Sequence, residues 1–243
     1  MKPTKEILSD ADAVATRAAE IVVATALQAV MERKRFTWVL SGGSTPERLY
    51  KLLAQSPYRE QMPWEDTFVF IGDERFVPEE DPAHNFSMAR AALLDHVPVP
   101  PANRYPIETY LPSAADVADE YTNRLRDFFE GQAMTFDLIL LGLGDDGHTA
   151  SLFPGKSALD ETDKPVVASE PGILPPPVER VTLTFPVLNA ARNILFLVTG
   201  EKKRGPLARV LSGEASVSET PAAGIQPVMG TLTFLADEAA STK

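Results

Sequence analysis

His148 is the residue in this sequence best suited to chemistry, because it follows a glycine-rich segment, residues 142–147, that comes directly after a candidate strand. An imidazole exchanges protons near neutral pH, and the carboxylate of Asp146 can fix its tautomer and raise its basicity. A neutral imidazole in such a loop can activate a water molecule. The alternative is a histidine that only makes a structural hydrogen bond within the loop.

The turn SGGSTP at residues 41–46 is suited to binding an oxyanion such as phosphate. Gly42 and Gly43 give the backbone freedom, Ser44 and Thr45 bring hydroxyl groups, and the first amides of the following helix can donate to an anion. The turn lacks the lysine of a nucleotide-binding P-loop. A capped strand-to-helix turn that needs glycine only for its geometry is the alternative.

Two carboxylates and a guanidinium follow the next candidate strand. Arg75 can hold an anion, and Asp73 or Glu74 can orient it or bind sugar hydroxyls. The alternative is an ion-paired turn at the surface. Further along, Asn85 can cap the next helix or donate to a substrate, whereas His84 is expected to be an ordinary surface histidine.

A cationic segment, GEKKR at residues 200–204, also follows a candidate strand. It brings Lys203 to the same edge of the predicted sheet as the other three loops, although a solvated helix face is the usual role of such a charge run. The three histidines have no metal-ligand spacing and the chain has no cysteine, so no metal site is expected.

The segment GLGDDG at residues 142–147 also matches the G-x-G-x-x-G fingerprint of dinucleotide-binding enzymes. Their fold needs a long helix directly after the last glycine, whereas here Pro154 and Gly155 interrupt the chain within eight residues. The sequence therefore argues against a nicotinamide or flavin enzyme, and no cofactor is expected.

Short apolar runs alternate with amphipathic segments, which predicts an α/β fold. The runs are mostly uninterrupted, as in strands buried on both faces, so we expect a doubly wound, mainly parallel, Rossmann-like sheet with flanking helices. Ligands bind beyond the carboxyl ends of such strands, where the polar loops should converge. Strands are predicted at residues 36–40, 67–71, 136–141, 166–169, 181–185 and 193–198, and helices at 10–35, from 45, and at 85–94, 114–130 and 201–211. The first helix is expected to be capped by Ser9.

Composition bounds the class of protein. The 243 residues, 44% hydrophobic and 23% charged, are expected to form one domain over residues 1–243. A formal net charge of -11 disfavours nucleic acid and anionic membranes as partners. With no cysteine, no signal-peptide pattern and no run expected to reach membrane-spanning length, a cytoplasmic protein with a small-molecule partner is expected. The oligomeric state is not set by the sequence, and a monomer is compatible with it.

Four segments carry a resemblance that covers nearly the whole chain. They are LSGGSTP at residues 40–46, GDERFVP at 72–78, GLGDDGHTASLFPG at 142–155 and TGEKK at 199–203. In order and spacing they resemble the 6-phosphogluconolactonases of the glucosamine-6-phosphate isomerase/6-phosphogluconolactonase family. The resemblance implies the fold of glucosamine-6-phosphate deaminase and ribose-5-phosphate isomerase. It also implies hydrolysis of 6-phospho-D-glucono-1,5-lactone to 6-phosphogluconate in the oxidative pentose phosphate pathway, without a metal or organic cofactor.

The resemblance also implies roles for individual residues. His148 would be the general base with Asp146 beside it, and Arg75 and Lys203 would contact the phosphate or another substrate anion. Backbone amides near Gly147 are candidates for stabilising the oxyanion. The other implied substrate contacts are Gly42, Gly43, Ser44, Asp73 and Asn85.

Two positions depart from the family pattern. Serine usually precedes the asparagine where this chain has His84, and arginine is frequent where Gln226 stands beside Pro227. Both positions concern contacts at the edge of the substrate.

Two other functions fit part of the pattern. An amino-sugar-phosphate deaminase or isomerase has a comparable glycine-histidine loop, but that loop continues Phe-Asn-Glu-Pro, whereas residues 149–154 read TASLFP and lack the Asn-Glu pair. A non-catalytic sugar-phosphate sensor is the second alternative. As a transcription regulator it would need a DNA-binding segment, and none is expected before Ser9.

Overall fold

The structure, a computed structural model, describes residues 3–173 and 176–241, so residues 1, 2, 174, 175, 242 and 243 of the predicted domain lie outside the described residues. The strands are β1 (Thr4–Leu8), β2 (Phe36–Leu40), β3 (Thr67–Ile71), β4 (Asp73–Arg75), β5 (Arg104–Tyr105), β6 (Leu138–Gly142), β7 (Val166–Ser169), β8 (Arg180–Leu183), β9 (Asn193–Val198) and β10 (Thr231–Asp237). The helices are α1 (Ala11–Arg33), α2 (Ser44–Leu53), α3 (Tyr58–Gln61), α4 (Asn85–Ala89), α5 (Ala114–Phe128), α6 (Phe185–Asn189) and α7 (Arg204–Ser212). A π-helical turn, Arg90–Leu94, extends α4, and a 3₁₀ turn, Glu201–Lys203, leads into α7.

A seven-stranded sheet forms the centre of the fold, in the order β1-β10-β9-β6-β2-β3-β5, and its strands are parallel. Strand β2, an interior strand beside the central β6, is buried at every position. This burial is why its sequence, FTWVL, is an almost unbroken apolar run. The predicted mainly parallel α/β sheet with flanking helices is confirmed. Because β2, β3, β6 and β9 run in the same direction, the polar loops that follow them meet at one edge.

A second, antiparallel sheet of three strands, in the order β4-β8-β7, lies beside that edge. The chain passes into it at Gly72, whose amide donates to Leu40 O of the main sheet (3.0 Å) and whose carbonyl accepts from Leu183 N of β8 (2.9 Å). The segment after Gly72 was expected to be a loop. It is instead a short strand in which Arg75 lies opposite Arg180.

Helix α1 packs its small and branched apolar side chains, from Val14 to Ala29, into the core. Its N-cap is Asp10, which accepts from Ala13 N (2.8 Å), so the prediction of Ser9 as the cap was wrong. The helix is long and apolar enough to cross a membrane by length and composition alone, which corrects the expectation that no run reaches that length. The buried core helix of a globular protein passes the same test.

Several element boundaries differ from the prediction. Strand β6 begins at Leu138, two residues later than expected, and the edge strand β1 and its neighbour β10 were not predicted. Strand β8 ends at Leu183, and Phe185 starts α6, because the proline that follows it favours the first turn of a helix.

Candidate active site

A cleft of about 290 Å³ lies at the edge of the main sheet where the loops meet. Eight residues predicted from the sequence line it: Gly42, Gly43, Ser44, Asp73, Arg75, Asn85, His148 and Lys203. The ninth, Asp146, contacts the ring of His148. The structure therefore brings the predicted site residues together.

His148 and Asp146 form a close pair at one side of the cleft. Nδ1 of His148 lies 2.5 Å from Oδ1 of Asp146, and the same oxygen accepts from the backbone amide of His148 at 3.1 Å. Burial favours the neutral acid, but the hydrogen bonds and charge of His148 outweigh it and hold the pKa of Asp146 below its usual value. Since the carboxylate accepts, Nδ1 carries the ring proton and Nε2 is the basic nitrogen.

The glycines of this loop are required by close approach. A Cβ on Gly144 would lie 2.1 Å from Nδ1 of His148, and Gly147 has φ +92°. The loop also closes on itself, since Gly144 N donates to His148 O (2.8 Å) and Gly147 N donates to Gly144 O (3.0 Å). The amides of Gly147 and His148 are thus already bonded within the loop, and the expectation that they serve as oxyanion donors is not supported.

The chain after His148 continues as a loop and not as a long helix. Thr149 and Leu152 form an isolated bridge, and Phe153 places its ring 4.7 Å from that of His148, centroid to centroid. The dinucleotide-like glycine pattern therefore lacks the helix that a pyrophosphate site would need, as predicted.

Asp73 is tied to the segment that follows His148. Its Oδ2 accepts from Ser151 Oγ at 2.6 Å, and Ser151 O in turn accepts from Ser169 Oγ at 2.7 Å. Ser151 is completely buried and Asp73 nearly so. The contact fixes the Asp73 carboxylate relative to the His148 loop.

Two guanidinium groups line the cleft from neighbouring strands. Arg75 donates through Nη1 to Ala83 O (2.6 Å), and its buried Nε contacts no acceptor among the described residues. Arg180 donates to the carbonyls of Val178 (3.2 Å) and Pro176 (3.0 Å). Burial and then the charge of Arg75 lower the pKa of Arg180, yet an arginine keeps its proton, so positive charge collects here.

Arg180 was missed by the sequence analysis. It stands at the start of a buried strand, and its charged neighbour Glu179 is not part of a glycine turn or another recognisable motif. Only its position opposite Arg75 in the antiparallel sheet brings it into the cleft.

Asn85 lies over the glycine turn that follows β2. Its Nδ2 donates to Asp73 O (2.9 Å), and a Cβ on Gly42 would be 1.8 Å from its Oδ1. Asn85 does not cap helix α4. The cap is His84, whose Nδ1 accepts from Ser87 N at 3.2 Å.

His84 is buried, with 4% of its surface exposed, so the expectation of a surface histidine was wrong. Burial lowers its pKa, which suits a ring nitrogen that accepts a hydrogen bond. A serine at this position would cap the helix through its hydroxyl, so the imidazole replaces the family's usual residue in the same role.

Glu74 does not bind in the cleft. It is fully buried, and its carboxylate accepts from the backbone amides of Asn85 and Phe86. The alternative in which Glu74 binds sugar hydroxyls was therefore wrong.

Lys203 enters the cleft from the fourth loop. Its Nζ lies 2.5 Å from Oδ1 of Asp145, so it is not part of a solvated helix face. Gly200, with φ +95°, donates its amide to both oxygens of Asp237 at 3.0 Å, which anchors the turn before Lys203.

Gln226, the second departure from the family pattern, donates to Ala223 O and does not line the cleft.

The start of helix α2 points amide groups at the same space. Gly43 is the N-cap with φ +107°, and within the described chain no side chain caps the helix. The hydroxyl of buried Tyr50 holds the turn by bonding both Ser41 N (2.9 Å) and Ser41 O (2.8 Å). Uncapped amides with the positive end of the helix dipole favour an anion.

Within residues 3–173 and 176–241, no group of three or more histidine, aspartate or glutamate side chains is arranged to hold a metal ion. A larger cleft, about 630 Å³, lies beyond α4 and is lined by His84 and Arg90 but by none of the predicted site residues.

Known proteins resemble this chain over almost its full length. The profile described as glucosamine-6-phosphate isomerases/6-phosphogluconolactonase matches residues 9–234. The 6-phosphogluconolactonase of Synechocystis sp. is 41% identical over 99% of this chain and 98% of its own. The human 6-phosphogluconolactonase is 40% identical over 86% of this chain and 81% of its own.

Solved structures agree with the fold. The 6-phosphogluconolactonase from Trypanosoma brucei superposes with a TM-score of 0.87 and 30% identity, covering 98% of this chain and 97% of that one. A monomeric glucosamine-6-phosphate deaminase shares the fold, with a TM-score of 0.78 and 22% identity over 99% of this chain and 98% of that one. This chain belongs to the glucosamine-6-phosphate isomerase/6-phosphogluconolactonase family.

Proposed function

We propose that this protein hydrolyses 6-phospho-D-glucono-1,5-lactone to 6-phosphogluconate, as the second step of the oxidative pentose phosphate pathway. The observation that carries the proposal is the His148–Asp146 pair, at 2.5 Å, in a cleft that also holds Arg75 and Arg180. A base and a cluster of cations are what a lactone that bears a phosphate requires.

His148 acts as the general base through Nε2, because Nδ1 is bonded to Asp146. Nε2 takes a proton from water while the water oxygen bonds to the lactone carbonyl carbon, and the carbonyl electron pair moves onto its oxygen. When that pair returns, the bond to the ring oxygen breaks. The imidazolium then gives its proton to the ring oxygen, so the products are a carboxylic acid and a hydroxyl group. Asp146 holds the ring proton of His148 on Nδ1 and stabilises the imidazolium when it forms.

The phosphate and the sugar are held by the remaining cleft residues. Arg75, Arg180 and Lys203 supply positive charge, and the amides at Gly43 and Ser44 supply donors at the start of α2. Asp73 and Asn85 orient sugar hydroxyls, with Gly42 leaving room for the Asn85 side chain. Binding requires Lys203 to share or leave its contact with Asp145.

The chain is also proposed to act as one domain over residues 1–243, as a cytoplasmic enzyme without metal or cofactor. The absence of cysteine and the net charge of -11 support this, since they disfavour a secreted disulfide protein and partners such as nucleic acid or anionic membranes.

The test is to supply the purified protein with three substrates. We expect hydrolysis of 6-phosphogluconolactone well above its spontaneous rate, slower hydrolysis of unphosphorylated gluconolactone, and no ammonia release from glucosamine 6-phosphate. Ammonia release with no lactone hydrolysis would replace the proposal with a deaminase. Binding of 6-phosphogluconate without turnover of any substrate would replace it with a sensor.

A further inference from the structure

Glu74 lies between two cleft residues, Asp73 and Arg75, but its own side chain is directed into the protein and is completely buried. A buried carboxylate is costly unless its oxygens are well satisfied. Here the oxygens accept three backbone amides: Arg75 N at 2.9 Å, Asn85 N at 2.6 Å and Phe86 N at 2.8 Å. The carboxylate thus joins strand β4 to a segment that lies about ten residues further along the chain.

Other bonds join the same two segments. Arg75 Nη1 donates to Ala83 O and Asn85 Nδ2 donates to Asp73 O. Nδ1 of His84 lies 3.5 Å from Oε2 of Glu74. We call β4 together with residues 83–86 the Arg75 wall. Glu74 is the buried centre of this wall, and the wall presents both Arg75 and Asn85 to the cleft.

We propose that Glu74 is a positioning residue that sets the affinity of the cleft for phosphorylated substrate by holding Arg75 and Asn85 in place. The proposal rests on the proposed function and names a residue that touches neither substrate nor water. Without the carboxylate, the amides of Asn85 and Phe86 lose their acceptor and the start of α4 is released. The hydrogen bonds of the His148–Asp146 pair lie within their own loop, so we expect the pair to keep its geometry.

A buried glutamine at this position could not accept all the hydrogen bonds that Glu74 accepts. An ionised carboxylate accepts hydrogen bonds at both of its oxygens, whereas a glutamine side chain accepts at one oxygen only. Its NH₂ group would face a backbone N–H that is itself a donor. Burial raises the pKa of Glu74, and the three amide hydrogen bonds oppose that rise because they stabilise the ionised carboxylate.

The test compares Glu74→Gln with Glu120→Gln. Glu120 on α5 is another carboxylate whose pKa burial raises, but it pairs with Arg124 (3.7 Å) and does not line the active cleft. For Glu74→Gln we expect KM for 6-phosphogluconolactone to rise by about tenfold or more, with kcat within about threefold and a much smaller KM change for unphosphorylated gluconolactone. For Glu120→Gln both constants should match the wild type. A fall in kcat equal for both lactones, or unchanged constants, would overturn the proposal.

A second measurement covers the case in which Glu74→Gln fails to fold. Hydrogen exchange on the wild-type protein without ligand should show the amides of Asn85 and Phe86 protected as strongly as those of β2. Exchange as fast as in residues 79–82 would overturn the proposal. If the wild type itself hydrolyses no lactone, the proposed function fails, whereas an active wild type with an unaltered Glu74→Gln variant rejects only the role of Glu74.

Discussion

The two sides of the cleft are built in different ways. On the His148 side, residues 142–149, most contacts that place the ring are local: Asp146 to His148, Gly144 to His148 and Thr149 to Gly142. One distant bond also holds this loop, from Ala222 N to Gly147 O (3.0 Å). The Arg75 wall depends on residues that are distant in sequence, through Glu74 to Phe86 and Arg75 opposite Arg180. The proposed chemistry is therefore encoded mainly in one short segment, while the proposed anion binding depends on the fold. Substitutions on the two sides should accordingly change different kinetic constants.

Loss of the Asp146 carboxylate should give the largest effect among the residues around His148. In Asp146→Asn the charged acceptor becomes a neutral amide, so a weaker hold on the tautomer and an unstabilised imidazolium should lower kcat by about 10²–10³-fold with little change in KM. Initial rates of acid release from 6-phosphogluconolactone measure this. The exposed substitution Asp119→Asn serves as the control and should be silent. A large rise in KM with a normal kcat would show that Asp146 contributes to substrate binding and not to the chemical step.

Gly144→Ala tests whether the loop tolerates any side chain beside the imidazole. The added Cβ would meet Nδ1 of His148 at 2.1 Å, so the ring must move and kcat should fall by about 100-fold. Gly142→Ala is the matched control in the same loop, because a Cβ there meets nothing within 4 Å. Equal activity of the two variants would show that the position of the ring matters less than the geometry suggests.

Arg75→Ala tests the other side of the cleft. Loss of a charge-assisted contact should lower kcat/KM for the phosphorylated lactone by about 10–100-fold, chiefly through KM, and change the unphosphorylated lactone far less. Arg90→Ala, which removes an exposed guanidinium paired with Glu79, is the control. An equal loss of kcat/KM for both lactones would show that Arg75 does not bind the phosphate.

The smallest effect concerns stability at acid pH. Because the pKa of Asp146 is lowered in the folded state, the unfolded chain binds the proton more readily. The stability that this ionised group contributes is therefore fully present above pH 3.8, the ordinary value, and is lost as the pH falls below it. In urea unfolding at pH 6, 4 and 3, the advantage of the wild type over Asp146→Asn should shrink at the lowest pH. A constant or growing advantage would contradict the lowered pKa.

Continuous apolar runs made the central strands readable from the sequence. Strands β2, β3 and β9 of the main sheet were predicted with the bounds that the structure shows, because strands buried on both faces need such runs. The bounds of β7, an edge strand of the second sheet, were also predicted correctly. The edge strand β1 has two polar, exposed positions and no comparable run. The short strand β4 owes its pairing to β8, more than a hundred residues away, and nothing in its own sequence indicates that partner.

The site could be predicted to a similar extent. The His148 loop was recognised because its glycines, carboxylate and imidazole lie within a few residues of one another. Arg180 and the buried roles of Glu74 and His84 were not, since each depends on tertiary contacts that a local pattern does not contain.

The proposed role of His148, activation of water for lactone hydrolysis, is tested by the kcat of His148→Gln with 6-phosphogluconolactone at saturation. Glutamine removes the base and leaves the Arg75 wall untouched. We expect a rate near the spontaneous one, while the Kd for 6-phosphogluconate, measured by calorimetry, stays within a few fold of the wild-type value. A kcat that stays close to the wild-type value would show that His148 is not the base.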